Sequence, residues 1–127
     1  MPAPVVYGHG WVPGLIGEIV RLHAIYYAQH WQLGEVFEAK VAAEFGAFVE
    51  TYNASVSRLF TAHSNDRLVG SLTIVGAAKP EGAARLRWFI LAEEGCGRGI
   101  GKHLMQLAMD FCPRRVAAPV ISRPSPD

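Results

Sequence analysis

Three glycines alternate along one short stretch of the chain, Gly97, Gly99 and Gly101, and two basic residues, Arg98 and Lys102, lie among them. Glycine has no side chain, so the backbone at these positions can approach a ligand closely and adopt left-handed conformations. An amphipathic helical pattern follows, and the first turn of a helix carries unpaired N–H groups and a positive dipole end. The stretch therefore predicts a site for an anionic group, with phosphate or pyrophosphate as the expected ligand.

Two common phosphate-binding motifs do not fit this loop. In the pattern G-x-x-x-x-G-K-[ST], Cys96 would stand in place of the first glycine and His103 in place of the Ser or Thr that holds magnesium. In the pattern G-x-G-x-x-G, the third glycine is missing in every register. The loop therefore predicts neither a nucleotide triphosphatase nor a dinucleotide-binding fold.

A strand at Arg85–Leu91 and a helix at Gly99–Phe111 are predicted to hold the loop between them. Alternation along the strand places Leu86, Trp88 and Ile90 on one face, and Arg85, Arg87, Phe89 and Leu91 on the other. The helix is predicted to bury Ile100, Leu104, Leu107, Ala108 and Phe111.

Upstream of this unit, the hydrophobic periodicity changes from helical to alternating. The predicted elements are a strand at Val5–Tyr7, a helix that begins near Pro13, a helix at Glu35–Val49, strands at Arg58–His63 and Leu68–Val75 joined by Ser64-Asn65-Asp66, and a turn at Ala77–Gly82. On the first helix, Leu15, Ile19, Leu22 and Tyr26 form the main apolar stripe, with Ile16, Val20, His23 and Tyr27 beside it.

The loop resembles motif A of the GNAT N-acetyltransferases, Gln/Arg-x-x-Gly-x-Gly/Ala. Cys96, Gly99 and Gly101 fall on its three defined positions, and Cys96 departs from the pattern. The order strand, helix, helix, three strands, helix is also that of the first part of a GNAT domain. Trp31, Phe37-Glu38 and the Leu-Arg-Trp strand are further similar to the GNAT half of some bacterial fusions with MarR-type regulators.

This resemblance implies an α/β (α+β) acyl-CoA N-acyltransferase fold, in which helices flank a mixed, mostly antiparallel sheet, truncated at its C-terminal end. It also implies acetyl-CoA as co-substrate, with its pyrophosphate on the loop amides and its pantetheine arm on the preceding strand. The expected cofactor-binding residues are Phe89, Ile90, Leu91, Cys96, Gly97, Arg98, Gly99, Ile100, Gly101 and Lys102.

In the family, an amine attacks the thioester directly, which requires a base for the amine, a donor for the developing oxyanion and an acid for the thiolate. The backbone near Phe89–Leu91 can supply the donor. Glu35, Glu38, His30 and His63 are the candidate bases, although a surface position on a helix, loop or sheet explains each of them better than catalysis does. The acceptor implied is a small amine or an amino terminus. The alternative is a catalytically silent remnant that binds acyl-CoA or acts as a dimerisation or regulatory module.

The aromatic residues offer a further open choice between substrate groove and core. Trp11, Trp31 and Trp88 could line an acceptor groove, but tryptophan more often anchors a core. Tyr26, Tyr27 and Tyr52 are likewise interpreted as core or groove residues.

The end of the chain does not follow the GNAT pattern. The GNAT-like domain is predicted to cover residues 1–112, with an irregular, proline-rich tail at 113–127 in which Pro119 would confine any strand to a sheet edge. Without the usual C-terminal lobe, the Arg85–Leu91 strand would expose unpaired groups. Self-association into a homo-oligomer, such as a dimer, is therefore expected.

Composition limits the remaining possibilities. The 127 residues suffice for one core, and a formal net charge of +1 lacks the basic field of a nucleic-acid binder. No apolar stretch near the N-terminus predicts a secretory or membrane segment, so a cytoplasmic protein is expected, without a membrane or nucleic-acid partner. The resemblance to the fusion proteins implies a bacterial one. Cys96 and Cys112 are too few for a disulfide framework, and no metal is required.

Overall fold

The computed structural model describes residues 3–77 and 82–111. Its elements are β1 (Val6–His9), α1 (Leu15–Trp31), α2 (Glu35–Glu50), β2 (Arg58–Ser64), β3 (Arg67–Val75), β4 (Arg85–Leu91) and α3 (Ile100–Phe111). This order is the one that the sequence predicts, and the predicted bounds of β4 agree residue for residue.

The four strands form one antiparallel sheet in the order β1-β2-β3-β4. Strands β2 and β3 form the predicted hairpin, and its two loop residues, Asn65 and Asp66, have φ angles of 53° and 61°. Two consecutive positive φ angles are typical of a type I′ turn, which matches the right-handed twist of paired strands. Short polar residues tolerate this conformation, which explains why the hairpin closes here.

Helices cover both faces of the sheet, and each face has its own core. On one face, α3 packs on the sheet through a cluster that includes Phe60, Leu72, Leu86, Ile100 and Leu104. On the other face, α1 and α2 pack on the sheet through a cluster that includes Leu15, Ile19, Phe45, Leu59 and Trp88. The predicted fold class, an antiparallel sheet flanked by helices, is confirmed.

The buried face of α1 differs from the predicted main stripe. Tyr26 was expected in that stripe but is exposed, whereas Tyr27 is buried. The difference arises because α1 packs on α2 as well as on the sheet, and the ring of Tyr27 lies 5.0 Å from that of Phe37 on α2. The completely buried face consists of Leu15, Ile19, Val20, His23 and Tyr27.

A β-bulge interrupts β4 at its centre. The register with β3 shifts between Ser71 and Thr73, so that Leu72 lies opposite both Trp88 and Phe89. Trp88 has a φ angle of 52°, which is uncommon for a bulky residue. A bulge of this kind leaves one residue outside the ladder and bends the strand.

The bulge makes the predicted faces of β4 wrong. Leu86 and Trp88 were expected on the same face, but Leu86 belongs to the α3 core and Trp88 to the α1–α2 core. Phe89 and Leu91 pack against the α3 core together with Leu86. The extra residue reverses the alternation after Arg87, because successive side chains point to opposite faces only while the ladder is regular.

Several predictions from the sequence lie outside the described residues. These are the buried position of Cys112, the irregular tail at 113–127 and most of the turn at Ala77–Gly82. Within the described residues, β4 pairs with β3 along one edge only, and self-association through its other edge stays a prediction. No described helix is both long and apolar enough to cross a membrane.

His23 predicts how stability depends on pH. Its Nδ1–H donates to the carbonyl oxygen of Ile19 at 2.8 Å, and burial lowers the pKa of His23 below its ordinary value of 6.5, although this hydrogen bond opposes the shift. Below about pH 6.5 the unfolded chain therefore binds a proton that the folded chain does not. The free energy of unfolding should fall toward pH 5 with a contribution of up to about 1.4 kcal/mol per pH unit.

Urea unfolding between pH 8 and pH 5 measures this dependence. In His23→Leu the part of the slope between pH 6.5 and pH 5 should disappear, whatever the overall stability of the variant. The exposed His9 serves as the control, since His9→Gln should keep the slope of the original chain. An unchanged slope in His23→Leu would contradict the buried, neutral state of this imidazole.

Candidate functional site

The loop between β4 and α3 is fixed at both ends. The backbone N–H of Ala92 donates to the carbonyl of Val69 at 2.9 Å, and a 3₁₀ turn at Glu93–Gly95 follows. Gly97 and Gly99 have φ angles of 78° and 73°, and a Cβ atom at either position would have nothing within 4 Å. Glycine is therefore required here by the left-handed backbone and not by lack of space.

This loop presents a row of unused backbone donors. Within residues 3–77 and 82–111, none of the N–H groups from Gly97 to Lys102 donates a hydrogen bond, whereas that of His103 donates to the carbonyl of Gly99 at 3.1 Å. The N–H groups of Ile100 to Lys102 form the first turn of α3, where the helix dipole is positive. Alternating conformations in the preceding loop add further donors to the same end. The arrangement can bind an anion through main-chain groups alone.

Gly101 has a different role from the other two glycines. A Cβ atom there would lie 3.1 Å from Cζ of Phe89 and 3.4 Å from Cδ1 of Leu91. Gly95 is also confined, since its Cβ would lie 2.8 Å from the carbonyl oxygen of Val69. These two glycines allow the loop and α3 to pack closely on the sheet.

The basic side chains of the loop are not equivalent. Nη2 of Arg98 donates to the carbonyl oxygen of Ala3 at 2.6 Å, and the hydroxyl of Ser64 donates to the same oxygen at 3.0 Å. The ring of His103 lies 3.9 Å from that of Tyr7. Lys102 is exposed and has no partner among the residues that the structure describes. Lys102 is thus the cation free to move toward a ligand, and Arg98 is held against the N-terminal segment.

Two grooves adjoin the loop. The first, here called the α3 groove, has a volume of about 490 Å³ and is lined by Phe89, Gly101, Lys102, Met105, Gln106 and Met109. The second, here called the α1 groove, has a volume of about 480 Å³ and lies between α1 and the segment that follows β4. Its lining consists of Arg21, Leu22, Ile25, Tyr26, Gln29, His30, Arg67, Leu91, Ala92, Glu93, Glu94 and Cys96.

Of the candidate bases, only His30 lines either groove. Its ring stacks on that of Tyr26 at 4.3 Å. Glu35 and Glu38 are exposed in the first turn of α2, and His63 is half-buried on β2. The structure therefore places His30 in a groove that Cys96 and the 3₁₀ turn also line, and leaves the two glutamates outside the grooves.

The tryptophan and tyrosine residues divide between core and surface. Trp88 is a core residue, and its ring lies 4.9 Å from that of Phe45. Trp11 and Trp31 are exposed and line neither groove. Of the tyrosines, Tyr27 lies in the core, Tyr26 lines the α1 groove and Tyr52 packs on Phe48.

Charged residues of the α1 groove were missed by the sequence predictions. Arg21 comes from α1, Arg67 from the start of β3, and Glu93 and Glu94 from the 3₁₀ turn. A signal for one wall exists in the sequence, since Arg21, Ile25 and Gln29 follow a helical spacing of four. The other wall becomes visible only when β3 and the 3₁₀ turn are placed beside α1.

Cys96 occupies the loop position at which the motif has Arg or Gln. Its thiol is exposed and lies 3.6 Å from the carbonyl oxygen of Ala92, and its backbone N–H donates to the carbonyl of Glu93 at 3.1 Å. Its N–H is therefore engaged in the 3₁₀ turn and is not one of the free donors. No group of three or more His, Cys, Asp or Glu side chains that could hold a metal ion occurs in the described part of the chain.

An antiparallel sheet with helices on both faces, a bulged β4 and a glycine-rich turn into α3 with unused backbone donors together define this α/β domain. The sequence profile of the Acetyltransferase (GNAT) family matches residues 18–122. The chain belongs to the GNAT acetyltransferase family. No curated protein sequence matches the chain.

Solved structures agree with this fold. A predicted acetyltransferase with acetyl-CoA from Clostridium acetobutylicum has a TM-score of 0.71 at 9% identity, over 94% of this chain and 81% of its own. A proposed GNAT acetyltransferase from Desulfovibrio desulfuricans has a TM-score of 0.63 at 19% identity, over 85% and 66%. An aminoglycoside 6'-N-acetyltransferase complexed with coenzyme A has a TM-score of 0.64 at 14% identity, over 85% and 55%. The chain thus spans a little over half of the aminoglycoside enzyme and about two thirds of the Desulfovibrio protein.

Proposed function

We propose that this chain is an acetyl-CoA-dependent N-acetyltransferase that acts on an amine. The observation that carries the proposal is the row of unused N–H groups from Gly97 to Lys102 at the start of α3. Such a row fits a pyrophosphate group, because several main-chain donors and the helix dipole converge on one anion. The acetyl-CoA and coenzyme A complexes among the structural relatives support the same cofactor.

The residues around the loop fit the rest of acetyl-CoA. The edge of β4 that faces away from β3 offers its backbone at Phe89, Ile90 and Leu91 to the pantetheine arm. The bulge at Trp88 leaves one residue of this strand outside the ladder, and its backbone can donate to the acetyl carbonyl oxygen. Lys102 is placed to neutralise phosphate charge. When bound, acetyl-CoA supplies a thioester whose acetyl group can pass to a nucleophile.

His30 is the base that we propose for the acceptor amine. It lines the α1 groove, which also contains Leu91, three residues after the bulge at Trp88, so the acceptor would approach the acetyl group along β4 from the α1 groove. A neutral imidazole can accept a proton from an ammonium group near neutral pH, and the ring of Tyr26 holds the imidazole against α1. Glu35 and Glu38 remain alternatives that act only if the acceptor extends beyond the groove.

Calorimetric titration with acetyl-CoA, followed by measurement of free thiol release with a panel of primary amines, tests this proposal. We expect saturable binding at one site and turnover with at least one amine. His30→Gln should lower turnover by roughly 100-fold, the contribution typical of a positioned base, while changing acetyl-CoA affinity by less than about twofold. His9→Gln, at an exposed position on β1, should leave both quantities unchanged.

The outcomes separate the proposal from its alternative. Binding of acetyl-CoA without turnover of any amine would favour a silent module that retains the cofactor site. Failure of a folded sample to bind acetyl-CoA would contradict the assignment of the glycine loop. A His30→Gln variant as active as the original chain would remove His30 from the mechanism and leave the cofactor assignment standing.

A further inference from the structure

The α1 groove contains a guanidinium group without a partner. Arg21 forms no hydrogen bond or ion pair among the described residues. It lines both the α1 groove and a smaller adjoining cavity of about 70 Å³, and Arg67 lines the same two spaces. Arg67 meets Glu94 only at 3.7 Å, with both side chains more than half exposed. The smaller cavity is also lined by Glu18 and Glu94. Within the α1 groove, two guanidinium groups, one of them without a partner among the described residues, favour an anionic oxygen group such as a carboxylate.

The segment that follows β4 adds negative charge to the groove. Glu93 and Glu94 lie on the 3₁₀ turn, and Glu93 has no ion-pair partner among the described residues. With Arg21 and Arg67 they give the groove two positive and two negative groups, so its lining is balanced in charge apart from His30. A ligand that carries one positive and one negative group matches this arrangement better than a polycation or a dianion.

Apolar side chains of α1 complete the groove. Leu22, Ile25 and the ring of Tyr26 come from successive turns of α1. A volume of about 480 Å³ is within the range of small-molecule sites. The space therefore suits a small ligand with an apolar side chain.

We propose that the acceptor of this acetyltransferase is a free α-amino acid with an apolar side chain. Its carboxylate would bind Arg21, with Arg67 beside it, and its ammonium group would lie toward Glu93 and His30. This inference rests on the proposed function, since it names the amine acted on at that site. It is supported by the size of the groove, by Arg21 without a partner among the described residues, and by the balanced charges of the lining.

The amino nitrogen forms a bond to the acetyl carbon, and the bond from that carbon to sulfur breaks. Of the two protons that the ammonium group loses, one leaves with the sulfur as the free thiol and the other passes through His30 to water. The product is an N-acetylamino acid, whose nitrogen carries no positive charge. It no longer pairs with Glu93 and Glu94, so release of the product is favoured.

Ligand-observed NMR titration and thiol-release assays with four related compounds test the proposal. L-leucine carries both charges. In L-leucinamide an uncharged amide replaces the carboxylate, in isoamylamine a hydrogen replaces it, and isocaproic acid lacks the amine. We expect L-leucine to bind the acetyl-CoA-free protein, and the other three to bind at least about tenfold more weakly, because each leaves charged groups of the lining unpaired. In the thiol-release assay, the rate with L-leucine should exceed the rate with L-leucinamide by a similar factor.

Arg21→Gln supplies the decisive variant. It should reduce the preference for L-leucine over L-leucinamide to about twofold or less and leave acetyl-CoA affinity unchanged. Arg58→Gln is the matched control, since that guanidinium stacks on Phe111 at 4.3 Å and does not line the groove. The control variant should keep the full preference.

Three results would overturn the proposal. The first is equal binding of L-leucine and L-leucinamide, and the second is absence of L-leucine binding to the folded protein. The third is a loss of acetyl-CoA affinity in Arg21→Gln with the leucine preference intact, which would assign Arg21 to a phosphate of the cofactor. Because leucine binding is measured without acetyl-CoA, failure of the proposed function, seen as absent acetyl-CoA binding, is distinguishable from failure of this inference.

Discussion

Gly99→Val should lower the affinity for acetyl-CoA by at least about 100-fold while leaving a folded protein. Gly99 has a φ angle of 73°, a conformation that costs a side-chain-bearing residue roughly 1–2 kcal/mol and a β-branched one still more. With valine at this position, the backbone would rotate to another φ angle. The N–H groups of Arg98 to Ile100 would then point away from the pyrophosphate of acetyl-CoA. A Cβ atom at Gly99 meets nothing within 4 Å, so the core is not disturbed. Calorimetric titration with acetyl-CoA measures the loss.

Two other glycines make the interpretation specific. Gly46→Ala, on α2 and with open space around its Cβ, should leave affinity unchanged and raise stability by about 0.5–1 kcal/mol. Gly101→Val should impair stability as well as binding, because its Cβ would press on Phe89 and Leu91. If Gly99→Val retains normal affinity, the pyrophosphate does not bind at this loop.

Phe45→Ala should destabilise the protein by about 3–5 kcal/mol, a large part of the stability of a small domain. Phe45 is 0% exposed, and its ring lies 4.9 Å from that of Trp88 and 6.1 Å from that of Phe48. Truncation leaves a cavity. The rings of Phe48 and Trp88 could fill it only if α2 and β4 moved. The midpoint of urea denaturation, with the slope of the transition held as a check, gives the difference in free energy.

Val36→Ala is the appropriate control for this substitution. Val36 lies on the same helix but is 80% exposed, so its truncation should change stability by no more than about 0.5 kcal/mol. A cost below about 1 kcal/mol for Phe45→Ala would mean that the α1–α2 core is not packed around this ring. Because Trp88 forms the bulge of β4, we also expect Phe45→Ala to weaken acetyl-CoA binding.

Much of the fold could be predicted from local sequence patterns. The alternation at Arg58–His63 and Leu68–Val75 identifies both strands of the hairpin, and the Asn65-Asp66 pair identifies its turn. The glycine loop is predicted from residue type alone, because left-handed conformations such as those of Gly97 and Gly99 favour glycine. These features depend on residues close together in the chain.

The features that were missed depend on distant contacts. Alternation in Arg85–Leu91 is regular in the sequence, and only pairing with β3 places a bulge opposite Leu72 and sends Trp88 to the α1–α2 core. Tyr26 could not be separated from Tyr27 by periodicity, since packing on α2 decides which of the two is buried. Patterns report a local preference, and tertiary pairing determines the register and rotation of each element.

The candidate site shows the same division. The loop residues from Gly97 to Lys102 are contiguous, so one local pattern predicts them together. The groove that adjoins them combines α1, the start of β3 and the 3₁₀ turn, and no local pattern links Arg21 with Arg67 or Glu93. His30 was a candidate on residue type alone, and its place in the groove distinguishes it from Glu35 and Glu38.

The hydrogen bond from Arg98 to the carbonyl of Ala3 has a consequence for biosynthesis. It joins residues 95 positions apart, so it forms only after Arg98 has been synthesised. Contacts of such long sequence separation form late in folding, because the entropy of closing the loop is lost before the contact contributes. The β2–β3 hairpin joins neighbouring residues and can assemble earlier on a nascent chain. A growing polypeptide would therefore fold this hairpin before the glycine loop is tied to the N-terminal segment.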